Sequence, residues 1–183
     1  MLFREAITVP IFLTGPRGVG KSTALAKALA DFGPGVRGLV TRFDAPREVR
    51  EKGLYLLPWG ASDPVFGILC ARVGGGRPQA YPEAFDGEGV RLLRSASEDP
   101  ACRLIVVDEL GFLESEALSF RAEVLRLLKG PKPVAGVVRE GLGAWGDAPL
   151  GEVWTVTEEN RDELAFRLEE RLRAACNLPR APV

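Results

Sequence analysis

The 183-residue chain contains no histidine. That one absence removes imidazole acid–base chemistry, nucleophile triads built on histidine, and histidine metal sites. Cysteine is scarce as well. Cys70, Cys102 and Cys176 are odd in number and far apart, which argues against a disulfide framework or a zinc site and for buried apolar thiols. Neither sign of charge dominates: 24 Lys and Arg stand against 25 Asp and Glu, a formal net charge of -1. No global field therefore draws the chain to nucleic acid or to a membrane, and nucleic-acid binding, not expected, would need a local patch. Long apolar runs are missing too, and Glu5 interrupts the opening "MLFREAITVPIFL" where a secretory signal needs an unbroken apolar core. The expectation is a cytoplasmic protein whose chemistry uses carboxylates, Lys, Arg and a hard metal ion.

What is present suffices for one domain, residues 1–183, with a substantial core: 46% of residues are hydrophobic. Ile7 to Thr14 reads as a buried strand, and Lys21 to Phe32 as an Ala- and Leu-rich helix stopped by "GPG". "VRGLVT", "LYLLPWG" and "VFGILCARV" read as strands, so an antiparallel, β-rich insertion is expected over about residues 36–75. A helix is expected to begin near Gly87. "CRLIVVDE" suits a central parallel strand buried on both faces. "SEALSFRAEVLRLLKG" reads as a helix ended by Gly130, "PVAGVVR" and "GEVWTVT" as two further strands, and "ENRDELAFRLEERLRAAC" as a last helix. Strands alternating with helices argue for an α/β fold around a mostly parallel central sheet.

Gly15, Pro16, Arg17, Gly18, Val19, Gly20, Lys21 and Ser22 fit G-x-x-x-x-G-K-S/T without a mismatch, between a strand and a helix as the motif requires. Glycines at 15, 18 and 20 permit backbone angles closed to residues with a Cβ, so successive N–H groups can turn inward as an anion nest. The helix beginning near Lys21 adds its positive end. Lys21 is expected to reach the β- and γ-phosphates of a nucleotide and the Ser22 hydroxyl to ligate Mg²⁺. Arg17 is either a solvated loop charge or a γ-phosphate contact, and Thr23 a first-turn helix residue at the edge of the same site.

In "LIVVDE" the apolar run delivers Asp108 and Glu109 to the carboxyl end of a strand, where open α/β sheets place their ligands. Successive side chains of a strand point oppositely, so Asp108 is expected in the Mg²⁺ shell beside Ser22 and Glu109 near a water that attacks the γ-phosphate. Asp108, Glu109, Leu110 and Gly111 also satisfy the D-x-x-G of small GTP-binding switch proteins. The N-K-x-D segment that reads guanine in those proteins is missing, "NRDE" at 160–163 not being one, which disfavours that class. Arg139, at the end of "VAGVV", is expected to stabilise charge on the γ-phosphate as an internal arginine finger, or else to be a surface charge.

Together "GPRGVGKST", "GLVTR", "VVDELGFLE" and "VTEENRDEL" resemble the nucleoside-triphosphatase family first described in thermophiles and called the cancer-related nucleoside-triphosphatase in animals. The blocks occur in family order from residue 12 to about residue 175. The resemblance implies a P-loop NTPase fold, a three-layer sandwich. It also implies Mg²⁺-dependent hydrolysis of ATP, GTP, CTP and UTP to diphosphate and phosphate with weak discrimination among bases. Its D-E-x-G-x-x-E block falls on Asp108, Glu109, Gly111 and Glu114, giving Glu114 a role beyond the solvated charge that its sequence position suggests. Its T-x-E-N-R block falls on Thr157, Glu159, Asn160 and Arg161, placing Asn160 and Arg161 near the nucleotide, with helix capping the alternative for Thr157. Where the family tends to carry an acid after the Thr of "GLVTR", this chain has Arg42, which puts a switch-like role of Thr41 in question.

The leading expectation is therefore an Mg²⁺-dependent nucleoside triphosphate hydrolase. One alternative is a nucleoside or nucleotide kinase whose acceptor is bound by the β-rich insertion, with Trp59 either stacking on it or, as is commoner for such aromatics, simply packed. The other is a nucleotide-gated binding module, for which no residue names a protein partner.

Overall fold

Apolar runs without polar alternation form the centre of the sheet, because a strand covered on both faces has no solvent side to mark. The computed structural model describes residues 9–46, 48–142, 144, 145 and 148–179; Glu5 and the expected strand residues Ile7 and Thr8 lie outside these. The chain runs through β1 (Ile11–Thr14), α1 (Lys21–Ala28), β2 (Val36–Phe43), β3 (Lys52–Pro58), β4 (Ile68–Val73) and β5 (Gln79–Ala80). Helix α2 (Pro82–Ala84) continues through a π-helical turn at Phe85–Gly89 into α3 (Val90–Glu98), followed by β6 (Leu104–Leu110), α4 (Leu118–Leu128) and β7 (Val134–Val138). β8 (Ala144–Trp145) and β9 (Ala148–Pro149) pair as a small hairpin, and β10 (Glu152–Thr155) leads to α5 (Arg161–Ala175).

The main sheet has the order β10-β1-β7-β6-β2-β3-β4-β5. The five strands from β10 to β2 run parallel, and β3, β4 and β5 follow antiparallel. The expected insertion over 36–75 thus contains one strand, β2, that belongs to the parallel part, since its residues Val36 to Val40 pair with Leu104 to Asp108. Two other expectations need correction. α1 stops at Ala28, where Leu29 leaves helical geometry, instead of reaching Phe32. The helix expected from Gly87 begins five residues earlier, at Pro82, a residue preset for a first helical turn.

Helices cover both faces, giving the α/β three-layer arrangement. Leu13, Val106 and Val137 pack with Leu25 of α1 and Leu168 of α5, while Phe12, Ile105 and Val107 pack with Leu93 of α3 and with Phe120 and Val124 of α4. A fully buried Leu or Phe contributes about 1.5–3 kcal/mol. An exposed ion pair such as Lys27–Asp162, which links α1 to α5, contributes about 0–1 kcal/mol, so the two apolar cores hold the layers together. Among the described residues no helix is long and apolar enough to cross a membrane.

β2 lies against β6 at Gly38, whose φ is +130° and whose Cβ, were there one, would collide with the Val106 carbonyl oxygen. Gly38→Ala is expected to lower stability by at least about 2 kcal/mol, from backbone strain and overpacking together. A urea midpoint that falls while the slope stays constant would register that loss.

Candidate active site

β1 ends at Thr14 and the chain turns at Gly15, with φ +135°, where an added Cβ would lie 2.5 Å from the Val156 carbonyl oxygen. Val19 is buried in the α1/α5 core and anchors the loop, while Pro16, Arg17 and Gly18 are exposed. Gly20 is left-handed and directly precedes α1. Lys21 begins that helix, and its buried Nζ donates to the carbonyls of Gly15 at 2.8 Å and Pro16 at 3.0 Å, holding the ammonium along the inside of the loop. Arg161, from the first turn of α5, covers the loop: its Nη1 donates to the Val19 carbonyl at 3.3 Å, and its side chain fills the space that a Cβ on Gly20 would take. Thr23 points to solvent on the first turn of α1.

Asp108 comes to this loop from β6, although β7 lies between β6 and β1. The Ser22 hydroxyl donates to Asp108 Oδ1 at 2.9 Å. Asp108 Oδ2 is buried and has no hydrogen-bond partner among the described residues. Burial pushes the Asp108 carboxyl up to about 6, opposed by the Ser22 hydroxyl and by the charges of Arg42 and Lys21. A buried carboxylate oxygen without a donor is costly unless a cation takes it. Among the described residues no cluster of three acids or cysteines encloses a metal ion. The donor set of one carboxylate and one hydroxyl therefore suits Mg²⁺, which keeps several waters and shares phosphate oxygens, better than a metal that needs a protein cage.

Glu109 follows at a break in the β6–β7 ladder, where Asp108 pairs with Val137 and Leu110 with Val138. As the extra residue of a bulge it is released from strict alternation, and it is half-buried. Glu114 lies behind it and is buried. One of its oxygens accepts the Gly111 N–H, so the carboxylate fastens the loop that follows Glu109. Burial raises the Glu114 carboxyl to about 7. The solvated reading of Glu114 is overturned, and no local periodicity signals this, since the chain must fold back over residues 111–114 to bury it.

Arg139, at the end of β7, is exposed and lies over the Phe112 ring at 5.2 Å. The Thr41 hydroxyl donates to the Asp108 carbonyl at 3.4 Å. Asn160 and Thr157 exchange bonds, Thr157 N–H to Asn160 Oδ1 at 2.8 Å and Asn160 N–H to Thr157 Oγ1 at 3.2 Å, which shapes the turn before α5; the N-cap of that helix is Asn160, so Thr157 braces the turn and does not cap the helix. Of that block, Arg161 is the residue that touches the phosphate loop. Trp59 packs against the α1/α5 core, which favours packing over acceptor stacking. Arg42, noted in the sequence only as a departure from a pattern, is half-buried beside Asp108.

Because burial raises the folded-state pKa of Glu114 from 4.5 to about 7, its contribution favours folding fully below pH 4.5 and fades as pH climbs towards 7. Glu114→Gln, which never ionises, is therefore expected to gain stability relative to the parent chain as pH rises from 5 to 8. Paired urea denaturations across that range would show a constant difference if the carboxylate were solvated.

The match to known proteins follows these elements. The NTPase family model covers residues 10–168. A nucleoside-triphosphatase THEP1 from Methanosarcina barkeri is 32% identical over 174 residues, covering 89% of this chain and 97% of that protein. Among solved structures, THEP1 from the hyperthermophile Aquifex aeolicus superposes with a TM-score of 0.67 at 22% identity, covering 87% of this chain and 96% of the other. A human cancer-related nucleoside triphosphatase superposes with the same score at 24% identity, covering 91% and 98%. These two share the fold, and the family match spans the phosphate loop, the acidic strand and the first half of α5. The chain belongs to the NTPase family.

Proposed function

We propose that this protein is a cytoplasmic, Mg²⁺-dependent nucleoside triphosphatase that converts NTP and water to NDP and phosphate and accepts ATP, GTP, CTP and UTP alike. The observation that carries the reading is the Ser22–Asp108 pair, with a buried Asp108 oxygen left over beside the phosphate loop and Glu109 next in the chain. Lys21 and the loop amides would bind the β- and γ-phosphates, and Ser22 and Asp108 would hold the metal ion. When bound, that ion supplies charge neutralisation between the two phosphates. Glu109 would orient the water and accept its proton as the oxygen–phosphorus bond forms. The bridging phosphorus–oxygen bond breaks with its electron pair left on the diphosphate. Arg161 is a positioning residue here, bracing the loop through the Val19 carbonyl. Arg17 and Arg139 stand at the exposed rim, where each is available to a γ-phosphate. None of these roles involves a base, which fits broad acceptance of bases.

Phosphate release measured with each of the four triphosphates is expected to give turnover rates within about tenfold of one another and to stop on chelation of Mg²⁺. Glu109→Gln is expected to lower kcat at least about tenfold with nucleotide affinity nearly intact. Lys21→Ala should weaken binding and turnover together. Transfer of the γ-phosphoryl group to a small acceptor without free phosphate, or unchanged release by the Gln variant, would contradict the assignment.

A further inference from the structure

β2 places one more charged side chain close to Asp108. Paired residues of parallel strands share a face, and along β2 and β6 the pairs alternate between the two cores. Val36 and Leu104 lie in the α1/α5 core, Leu39 and Val107 in the opposite one. Val40 pairs with Asp108, so Val40 shares the face on which Asp108 meets Ser22. Arg42, two residues further on, returns to that face beyond the register level of Asp108. It therefore stands past the carboxyl end of the parallel strands, on the side of the sheet that carries α1 and Lys21.

The surroundings of Arg42 are unlike those of the other arginines near the loop. Arg161 is engaged with Val19 and Gly20, Arg139 is exposed over Phe112, and Arg17 is exposed on the loop. Arg42 is half-buried, and among the described residues its guanidinium makes one long hydrogen bond, Nη1 to the Thr41 carbonyl at 3.4 Å. Among the described residues no carboxylate lies within ion-pair distance of it. A guanidinium always carries its charge and presents five donors, so a partly desolvated one with a single weak acceptor is poised for an anion with several oxygens. Asp108, whose carboxyl feels the Arg42 charge, is the neighbouring anion on that face.

The geometry points to Arg42 as a catalytic residue: an arginine supplied within the chain, from β2, that donates hydrogen bonds to the γ-phosphoryl oxygens as the bridging bond breaks. The assignment rests on the hydrolase reading above. Arg42 gives up no proton, because the water proton goes to Glu109 and the bridging electron pair to the diphosphate. Its contribution is to offset charge that is spread over the transferring group, in a place where solvent does not screen it fully.

The test compares R42A and R42K with the parent chain in steady-state phosphate release, and in titrations with Mg²⁺·ADP alone and with aluminium fluoride added, a mimic of the planar transferring group. For R42A, kcat is expected to fall at least about a hundredfold with KM within about threefold. Affinity for ADP should stay within about threefold, while the tighter binding conferred by aluminium fluoride is lost in proportion to kcat. R42K keeps a charge but loses the planar fork, so it should retain ADP affinity and lose kcat at least about tenfold; it serves alone if R42A does not fold. Either variant turning over at the parent rate overturns the assignment, as does equal weakening of ADP and ADP–aluminium fluoride, the signature of a structural counter-charge to Asp108. Those results leave the hydrolase reading intact provided the parent chain releases phosphate. A parent chain that releases none overturns both.

Discussion

The hydrogen bond between Ser22 and Asp108 joins the two halves of the site, and most of the architecture serves to make it possible. Ser22 lies one residue into α1, and its direction is fixed by the glycine turn and by Leu25 and Ala28, which seat the helix on the sheet. Asp108 lies near the end of a strand whose preceding four residues are wholly buried. Neither side chain has slack, because close-packed cores transmit displacement instead of absorbing it. The two strands are not neighbours, so the distance between hydroxyl and carboxylate is set by β7 between them. The small residues Ala135 and Gly136 there pair with Ile11 and Phe12 on one side and with Val106 and Val107 on the other.

That arrangement sets function against stability. Asp108 and Glu114 are both buried carboxylates whose charged forms are disfavoured by desolvation, and each uses its hydrogen-bonding capacity on something other than tight packing. Glu114 accepts the Gly111 N–H and so shapes the loop beyond Glu109. Asp108 keeps one oxygen without a donor. Replacing a buried charge by an apolar group of similar volume is often neutral or stabilising, so the fold alone does not require acids at these two positions. Under the proposed function their presence has a reason: a bound Mg²⁺·triphosphate would bring positive charge to Asp108, and Glu114 would fix the loop that follows Glu109.

Much of this was legible in the residues. Local chemistry marked the phosphate loop, because Gly15, Gly20 and the Lys-Ser pair have few structural reasons to occur together, and the uninterrupted apolar run before Asp108 marked a central strand. Illegible were features decided by distant parts of the chain. The parallel membership of β2 depends on where β6 lies, and its own apolar pattern fits either direction. The burial of Glu114 depends on Leu110 and Ala117 drawing both ends of a short loop into the α3/α4 core. The early start of α2 depends on Asp86, whose carboxylate accepts the Phe120 N–H at 2.9 Å and so ties the π-helical turn to the first turn of α4. The packing of Trp59 is decided at a distance too: its neighbours in sequence look like an exposed turn, and the apolar surface that receives it comes from another part of the chain.

The position of β2 brings a second arginine to the acidic end of β6. β6 is flanked by β7 and β2, and each flanking strand carries an arginine just past its pairing with the end of β6, Arg139 on one side and Arg42 on the other. Ser22 fixes Asp108 on β6, and under the proposed function the two flanking guanidinium groups would face the outer oxygens of a triphosphate. On β2 the backbone is held by Thr41, whose hydroxyl is tied to the Asp108 carbonyl. The backbone at Arg42 is thereby held at a fixed level relative to Asp108, while the long side chain remains free to adjust to the phosphate.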